Sequence, residues 1–327
     1  MSGTPKVLLH GTVIMVTCAV EADIMMPANQ LVQTILWSCL ARAQHLHPVR
    51  ICHFLFEGTH VHFIMIVDDP NDIPDFMERF KTESAHAINR LLGRKKRTIW
   101  CEGFDNPALL TPTDVIDKIS YVYLNPIKDG LVQALDEYPG ISSWRMFKHN
   151  RHQRSCPHLR RTHIVKLPSR SIGEKLAVKL THDYTAKSRS KHTFTIHPEA
   201  WMECFKIQTE DEKNVWRDRL AKKIEDDACR TREQRAKENR GYIGRNRLMS
   251  EALGKSFEPK RRGKRMRCIC CNIALRKIYL ARTRALIAEG RAVFLQWLDG
   301  EWHIPYPLGL FPPAYPKRGE LLGLTAL

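Results

Sequence analysis

No uninterrupted apolar run in the sequence reaches eighteen residues. A membrane-crossing helix needs about twenty, so a transmembrane protein is not expected. The start of the chain, Met1 to Lys6 and then Val-Leu-Leu-His, lacks the charged head and cleavage site of a signal peptide. Ten cysteines are scattered, among them Cys18, Cys39, Cys52 and Cys101, without the dense regular spacing of a secreted disulfide scaffold. Together these absences predict a cytoplasmic protein with reduced thiols and no membrane partner.

What is present is a chain of 327 residues with 43% hydrophobic content, enough to bury a core in one large domain or two ordinary ones. The net charge of +17 is unevenly placed. Residues 1–150 hold 14 Lys and Arg against 16 Asp and Glu, so residues 151–327 hold 38 against 19 and carry all of the positive excess. Such a field attracts a polyanion, most often nucleic acid; a basic tail with no specific ligand is the bland alternative.

Thr12 to Val20 reads as a first strand, dense in β-branched residues. Pro27-Ala28-Asn29 opens a helix whose apolar face is Leu31, Ile35, Leu36, Cys39 and Leu40, running to about Gln44. Val49 to Phe56 predicts a second strand, joined by Glu57-Gly58-Thr59 to a third that starts at His60, the pair forming a hairpin. Asp68 to Pro74 carries helix-start chemistry, and a helix is expected from about Asp75 to Leu92, stopped by Gly93. A basic loop, Arg94-Lys95-Lys96-Arg97, leads into an expected short strand near Thr98 to Glu102. Thr111-Pro112-Thr113-Asp114 caps a further helix, Val115 to Asn125, which Pro126 ends or kinks. The order strand, helix, strand, strand, helix, strand, helix is that of a split β-α-β, ferredoxin-like sheet with one helix added, an α+β fold with an antiparallel sheet and helices on one face.

Strand alternation puts His60 and His62 on one face with Val61 on the other, so two imidazoles look out side by side. Such a pair is either a metal site or an ordinary exposed pair. In the later helix, Tyr121 and Asn125 are four apart and share a face, while Tyr123 points elsewhere. Taken alone, Tyr121 reads as a half-buried core residue and Asn125 as a capping residue ahead of Pro126. Taken together with Gly130-Leu131-Val132 and with Tyr138-Pro-Gly-Ile-Ser142-Ser143-Trp144, these motifs resemble, in order and spacing, the single-tyrosine HUH transposases, and among them most closely the REP-associated tyrosine transposases. The resemblance covers about residues 10–148. Two features depart from it: Glu57-Gly58-Thr59 stands where the family commonly has Met-Pro-Asn, and a second tyrosine, Tyr123, lies beside Tyr121.

The resemblance implies a catalytic domain that binds single-stranded or hairpin DNA and cuts it with a divalent metal. By position, His60 and His62 are then metal ligands, Asn125 the third, amide-type ligand, and Tyr121 the nucleophile. Two imidazoles and an amide are neutral and leave the ion its full charge; imidazole suits Mn²⁺ at least as well as Mg²⁺. A phenol titrates near pH 10, so its attack on phosphorus needs help in losing its proton. Attack gives a 5′-phosphotyrosine and a free 3′-OH, and the stored bond lets another 3′-OH reseal the strand without ATP. Arg94, Lys95, Lys96, Arg97 and Lys128 flank this site in sequence and are the expected DNA contacts, unless the run is merely a solvated loop.

From residue 149 the composition shifts, predicting a linker over 149–175 between a catalytic domain at 1–148 and a mainly helical, basic region at 176–327. Trp201 to Asn239 has the spacing of a long amphipathic helical pair. Gly241 to Leu253 and Lys260 to Arg267 form the strongest basic cluster, a candidate reader of DNA duplex or hairpin. Cys268-Ile-Cys270-Cys271 lacks the second pair of a zinc site, and a helix from Ile273 to about Leu298 is expected to bury these cysteines. Trp297, Trp302, Tyr306, Phe311 and Tyr315 belong to an aromatic, proline-rich end expected to lie across the helices. The reading is therefore a DNA nickase and strand transferase, monomeric or dimeric. Its competitors are a DNA-binding protein that has lost the reaction and a zinc hydrolase using His60 and His62, the last lacking an obvious carboxylate base.

Overall fold

The computed structural model describes residues 5–95, 97–258 and 265–313. Strand β1 (Val13–Ala19) is followed by helix α1 (Gln30–Leu46), strands β2 (Arg50–Glu57) and β3 (His60–Ile66), helix α2 (Asp72–Leu91), the short strand β4 (Ala108–Leu109) and helix α3 (Pro112–Lys128). The second half adds α4 (Trp144–Lys148), β5 (Gln153–Pro157), α5 (Glu174–Ala186), β6 (Lys191–Thr195), α6 (Glu210–Lys237), α7 (Arg245–Ser250), β7 (Cys268–Ile269) and α8 (Ile273–Leu298). The architecture is mixed α+β with a mainly antiparallel sheet.

Five strands lie in the order β2-β3-β1-β4-β7, and a separate two-stranded sheet pairs β5 with β6. Neighbours in the larger sheet are antiparallel except β7, which runs parallel to β4 at the edge. The β2–β3 hairpin turns on two residues, Gly58 and Thr59, between the paired Glu57 and His60. Glycine is required there: Gly58 has a positive φ of 23°, and a Cβ on it would meet the Met26 carbonyl oxygen at 2.8 Å.

Alternation gives the sheet two apolar faces. Ile14, Val16, Phe54, Phe56, Phe63 and Met65 pack with α1 and α2, whereas Val13, Met15, Leu55, Ile64 and Ile66 pack with α3 and α6. A bulge between Ile51 and His53 keeps β2 in phase with that division. The expectation of helices on one face is therefore corrected. The crossover helices share a face, but strands that are apolar on both sides demand a second cover, and α3 with α6 provides it.

Two helix starts that frame the site have a local cause. Asn29 Oδ1 accepts from Val32 N at 3.0 Å to cap α1, and Thr111 Oγ1 accepts from Asp114 N at 3.1 Å to cap α3, with Pro112 in its first turn. Pro126 does not end α3, which continues to Lys128. The ring sits in the last turn, where it removes one helical hydrogen bond, and Leu131 N donates back to Pro126 O at 2.8 Å.

Residues 98–102 are not a regular strand: Trp100 makes a single bridge to Val20, and the ladder partner of β1 is β4 at Ala108–Leu109. The stretch expected as a linker is packed instead. Cys156, Leu159, Ile164, Leu167 and Ile172 belong to the core that α1 and α2 share with the sheet. In place of a helical pair, a 3-10 turn at Ala200–Phe205 precedes the single helix α6. Cys268 and Cys270 are buried and Cys271 is exposed; among the described residues no group of three His, Cys, Asp or Glu is disposed to hold a metal. Lys96, most of the Lys260–Arg267 cluster and Tyr315 lie outside the described residues. No described helix is long and apolar enough to cross a membrane.

Candidate active site

β3 and α3 build the site from opposite sides of one gap. The alternation that sends Val61 and Phe63 toward α1 and α2 turns His60 and His62 toward α3. Their rings stand 4.6 Å apart, centroid to centroid, at 82°. On α3, Tyr121 meets His62 with ring centroids 5.8 Å apart. His60, His62, Tyr121, Asn125 and Lys128 all line one cleft of ≈ 1140 Å³. The structure thus brings together five residues that the sequence spreads over almost seventy positions.

The surroundings of each imidazole are defined. Thr17 lies opposite His62 in the β1–β3 register, and its Oγ1 is 2.9 Å from His62 Nδ1, an anchor that fixes the ring and leaves Nε2 as the nitrogen for a ligand bond. His60 Nδ1 is 3.0 Å from Thr59 Oγ1, while His60 Nε2 lies 3.3 Å from Glu57 Oε2. Glu57 is buried, at 4% exposure. The sequence reading noticed Glu57 only as a departure from a motif; the signal available was that a two-residue hairpin puts its flanking residues, Glu57 and His60, directly opposite one another. The carboxylate said to be missing is therefore beside the histidines.

Asn125 is 3% exposed, and its Nδ2 has no hydrogen-bond partner among the described residues. A buried amide end left unsatisfied is costly unless something occupies it, and a half-turn of the side chain presents the oxygen instead. Two imidazoles and this amide are three neutral donors, a set that can hold a divalent cation and leave it open positions.

The two tyrosines are treated oppositely. Tyr121 is partly exposed in the cleft, with Lys118 Nζ and Lys128 Nζ each 5.1 Å from its ring centroid. Lys118, three residues before Tyr121, was not singled out from the sequence. Burial lowers its pKa below the usual amine range, and nearby Lys128 adds to the effect. Two ammonium groups at this spot favour a phenolate or a phosphate joined to it. Tyr123 is 1% exposed, with its hydroxyl 2.6 Å from His53 Nδ1 and 3.0 Å from Ser143 Oγ, and burial pushes its pKa well up.

The basic loop is placed elsewhere. Arg94 pairs with Asp23 at 3.2 Å, Arg97 offers its carbonyl to Asn89, and neither they nor Lys95 line the cleft. The second half contributes more: Arg235, Arg240 and Arg265 reach the cleft wall. Arg235 donates to Lys128 O at 3.0 Å and to Gly241 O at 2.6 Å, tying α6 to the end of α3.

No protein-family model matches the chain, and no curated protein does. The chain is similar to a solved REP-associated tyrosine transposase bound to a REP hairpin. The likeness has 21% sequence identity and a TM-score of 0.37, and it covers 44% of this chain and 84% of that transposase.

Proposed function

We propose that the protein is a DNA nickase and strand transferase that cleaves single-stranded or hairpin DNA through Tyr121. One observation carries this reading: the partly exposed phenol of α3 faces His62 in an open cleft, flanked by two lysines, while its neighbour Tyr123 is sealed in the core. The strand order β2-β3-β1-β4, with both crossover helices on one face, supports a ferredoxin-like catalytic half.

In the reaction, Tyr121 Oη bonds to the scissile phosphorus, the bond from phosphorus to the 3′ oxygen breaks, and the phenolic proton leaves so that the 3′ oxygen departs as a hydroxyl. Lys118 and Lys128 stabilise the negative charge that builds on the phenol oxygen and the phosphate oxygens in the transition state, before the 3′ oxygen leaves with the proton. His60, His62 and Asn125 would hold a Mg²⁺ or Mn²⁺ ion, which supplies further neutralisation at the phosphate oxygens. Thr17 keeps the His62 ring in place.

Incubation with single-stranded or hairpin oligonucleotides drawn from the flanks of its own gene should give a covalent protein–DNA adduct. Tyr121→Phe should abolish it and Tyr123→Phe should retain it; an adduct that persists in Tyr121→Phe means another nucleophile. A second reading, binding without cutting, is favoured by the Glu57 carboxylate against His60 Nε2, where it competes for a nitrogen that a metal would take. Hairpin binding with no nicking in either Mg²⁺ or Mn²⁺ would select it.

A further inference from the structure

The positive excess of the second half is not spread evenly over its two long helices. α6 carries nine Lys and Arg against eight Asp and Glu, and much of this is paired internally or with neighbours: Lys213 with Glu210, Arg217 with Glu199 and Glu210, and Lys223 with Asp117 and Asp227. α8 carries Arg276, Lys277, Arg282, Arg284 and Arg291 against the single acid Glu289. All five cations are exposed, and none of them makes an ion pair among the described residues.

α8 is attached along one narrow stripe, with Tyr279, Thr283, Ile287, Gly290, Val293 and Trp297 buried. Lys277, Arg284 and Arg291 recur every seven residues and so form a row on the side of the helix turned away from that stripe. At the helical rise their Cα atoms are about 10 Å apart along the axis, and the row spans about 20 Å. Unpaired cations repeated along a rigid helix repel one another unless a polyanion lies against them, and duplex DNA presents about one negative charge per 1.7 Å of its axis.

We infer that the exposed row Lys277, Arg284 and Arg291 of α8 is a duplex-DNA contact that holds the phosphates of a hairpin stem, separately from the cleft where Tyr121 acts. The inference rests on the DNA reading of the preceding section and extends it to a half of the chain that the transposase resemblance does not reach. These contacts go to backbone, so they position the stem and do not read its sequence.

The test uses the full chain with Lys277→Gln, Arg284→Gln and Arg291→Gln combined, and measures hairpin binding by fluorescence anisotropy over a salt series. The affinity should fall at least about tenfold near 0.1 M salt, and the slope of log K against log salt should shrink by about 2 to 3, close to one per lost phosphate contact. A control that removes three charges from α6 (Lys222→Gln, Arg232→Gln, Lys237→Gln) should keep the wild-type slope. Equal slopes for wild type and the α8 variant, or equal losses in both variants, overturn the inference. Because Ile278 and Leu295 on α8 are 65% and 60% exposed, binding to phosphatidylserine vesicles is measured in parallel; loss of vesicle binding with hairpin binding intact also overturns it. If the wild type binds the hairpin with the α8-dependent slope but forms no tyrosine adduct, the α8 contact stands and the nickase reading falls; if it binds no DNA, both fall.

Discussion

Tyr121 and Tyr123 are the same chemical group two residues apart, and a helix turns them about 200° from each other. One meets solvent and cations; the other meets His53, Ser143 and Phe147 in the core. Tyr123→Phe should therefore leave the covalent reaction intact and cost about 1–2 kcal/mol of stability, because His53 and Ser143 lose a buried partner; urea unfolding at neutral pH measures this. His53 adds a pH dependence. Burial pushes its pKa down to about 3, against an unperturbed value near 6.5. Between those values the unfolded chain takes up a proton that the folded chain refuses, so stability rises with pH across the window. The contribution is complete above about pH 6.5 and is lost progressively toward pH 3, a loss on the order of a few kcal/mol. Urea midpoints should decline from pH 7 to pH 4, and the decline should be shallower in His53→Leu. A midpoint that holds steady over that range would mean that His53 is free to charge in the native state.

At the scale of elements, α3 organises the site: Lys118, Tyr121, Asn125 and Lys128 fall at three- and four-residue steps on one stripe, and the last three line the cleft. Its end is held by contact with α6. Gly130 has φ +72°, and a Cβ there would run into the Arg235 guanidinium that bonds the Lys128 carbonyl. Gly130→Ala should cost about 1–3 kcal/mol through the left-handed backbone alone. It should also slow adduct formation, because Lys128 and Asn125 sit within the turn that must shift; rapid-quench rates beside urea midpoints check both. The elements of this region were legible because their signals are local: a β-branched run, a two-residue turn with glycine, a capping threonine ahead of proline. β4 was not. It has two residues, and it exists because β1 on one side and β7 on the other offer hydrogen bonds to Ala108 and Leu109. Glu57 was missed for a related reason, since its role comes from the residue opposite and not from its neighbours in sequence. The place of the basic loop was not legible because charge in a sequence says nothing about direction: Arg94 pairs with Asp23 away from the cleft.

The whole molecule is built from cores that both halves share, which composition could not reveal. The shift toward His, Arg, Ser and Pro at residue 149 looks like the end of a domain, yet the chain that follows supplies Cys156, Leu159, Ile164, Tyr184 and Phe194 to the core of α1 and α2. Trp201, Met202, Leu220 and Ile224 go to the core beneath α3. Trp201 is fully buried, and Leu220 and Ile224 are 3% and 5% exposed. A chain stopped at residue 148 would uncover the parts of α3 and the sheet that Trp201, Met202, Leu220 and Ile224 cover, and the outer side of α1, and would leave β4 without its edge partner β7. Burying one large apolar side chain contributes about 1.5–3 kcal/mol, so losing several such contacts exceeds the stability of about 5–15 kcal/mol that a whole domain commands. The fragment 1–148 should therefore lack a cooperative thermal transition and bind a hydrophobic dye, while the full chain unfolds cooperatively. A fragment that melts cooperatively at the full-chain temperature would mean that the second half merely rests on a complete catalytic domain. The expected result instead makes the basic half a structural part of the cleft, so that the proposed stem contacts on α8 and the proposed nucleophile on α3 are carried by one folded body.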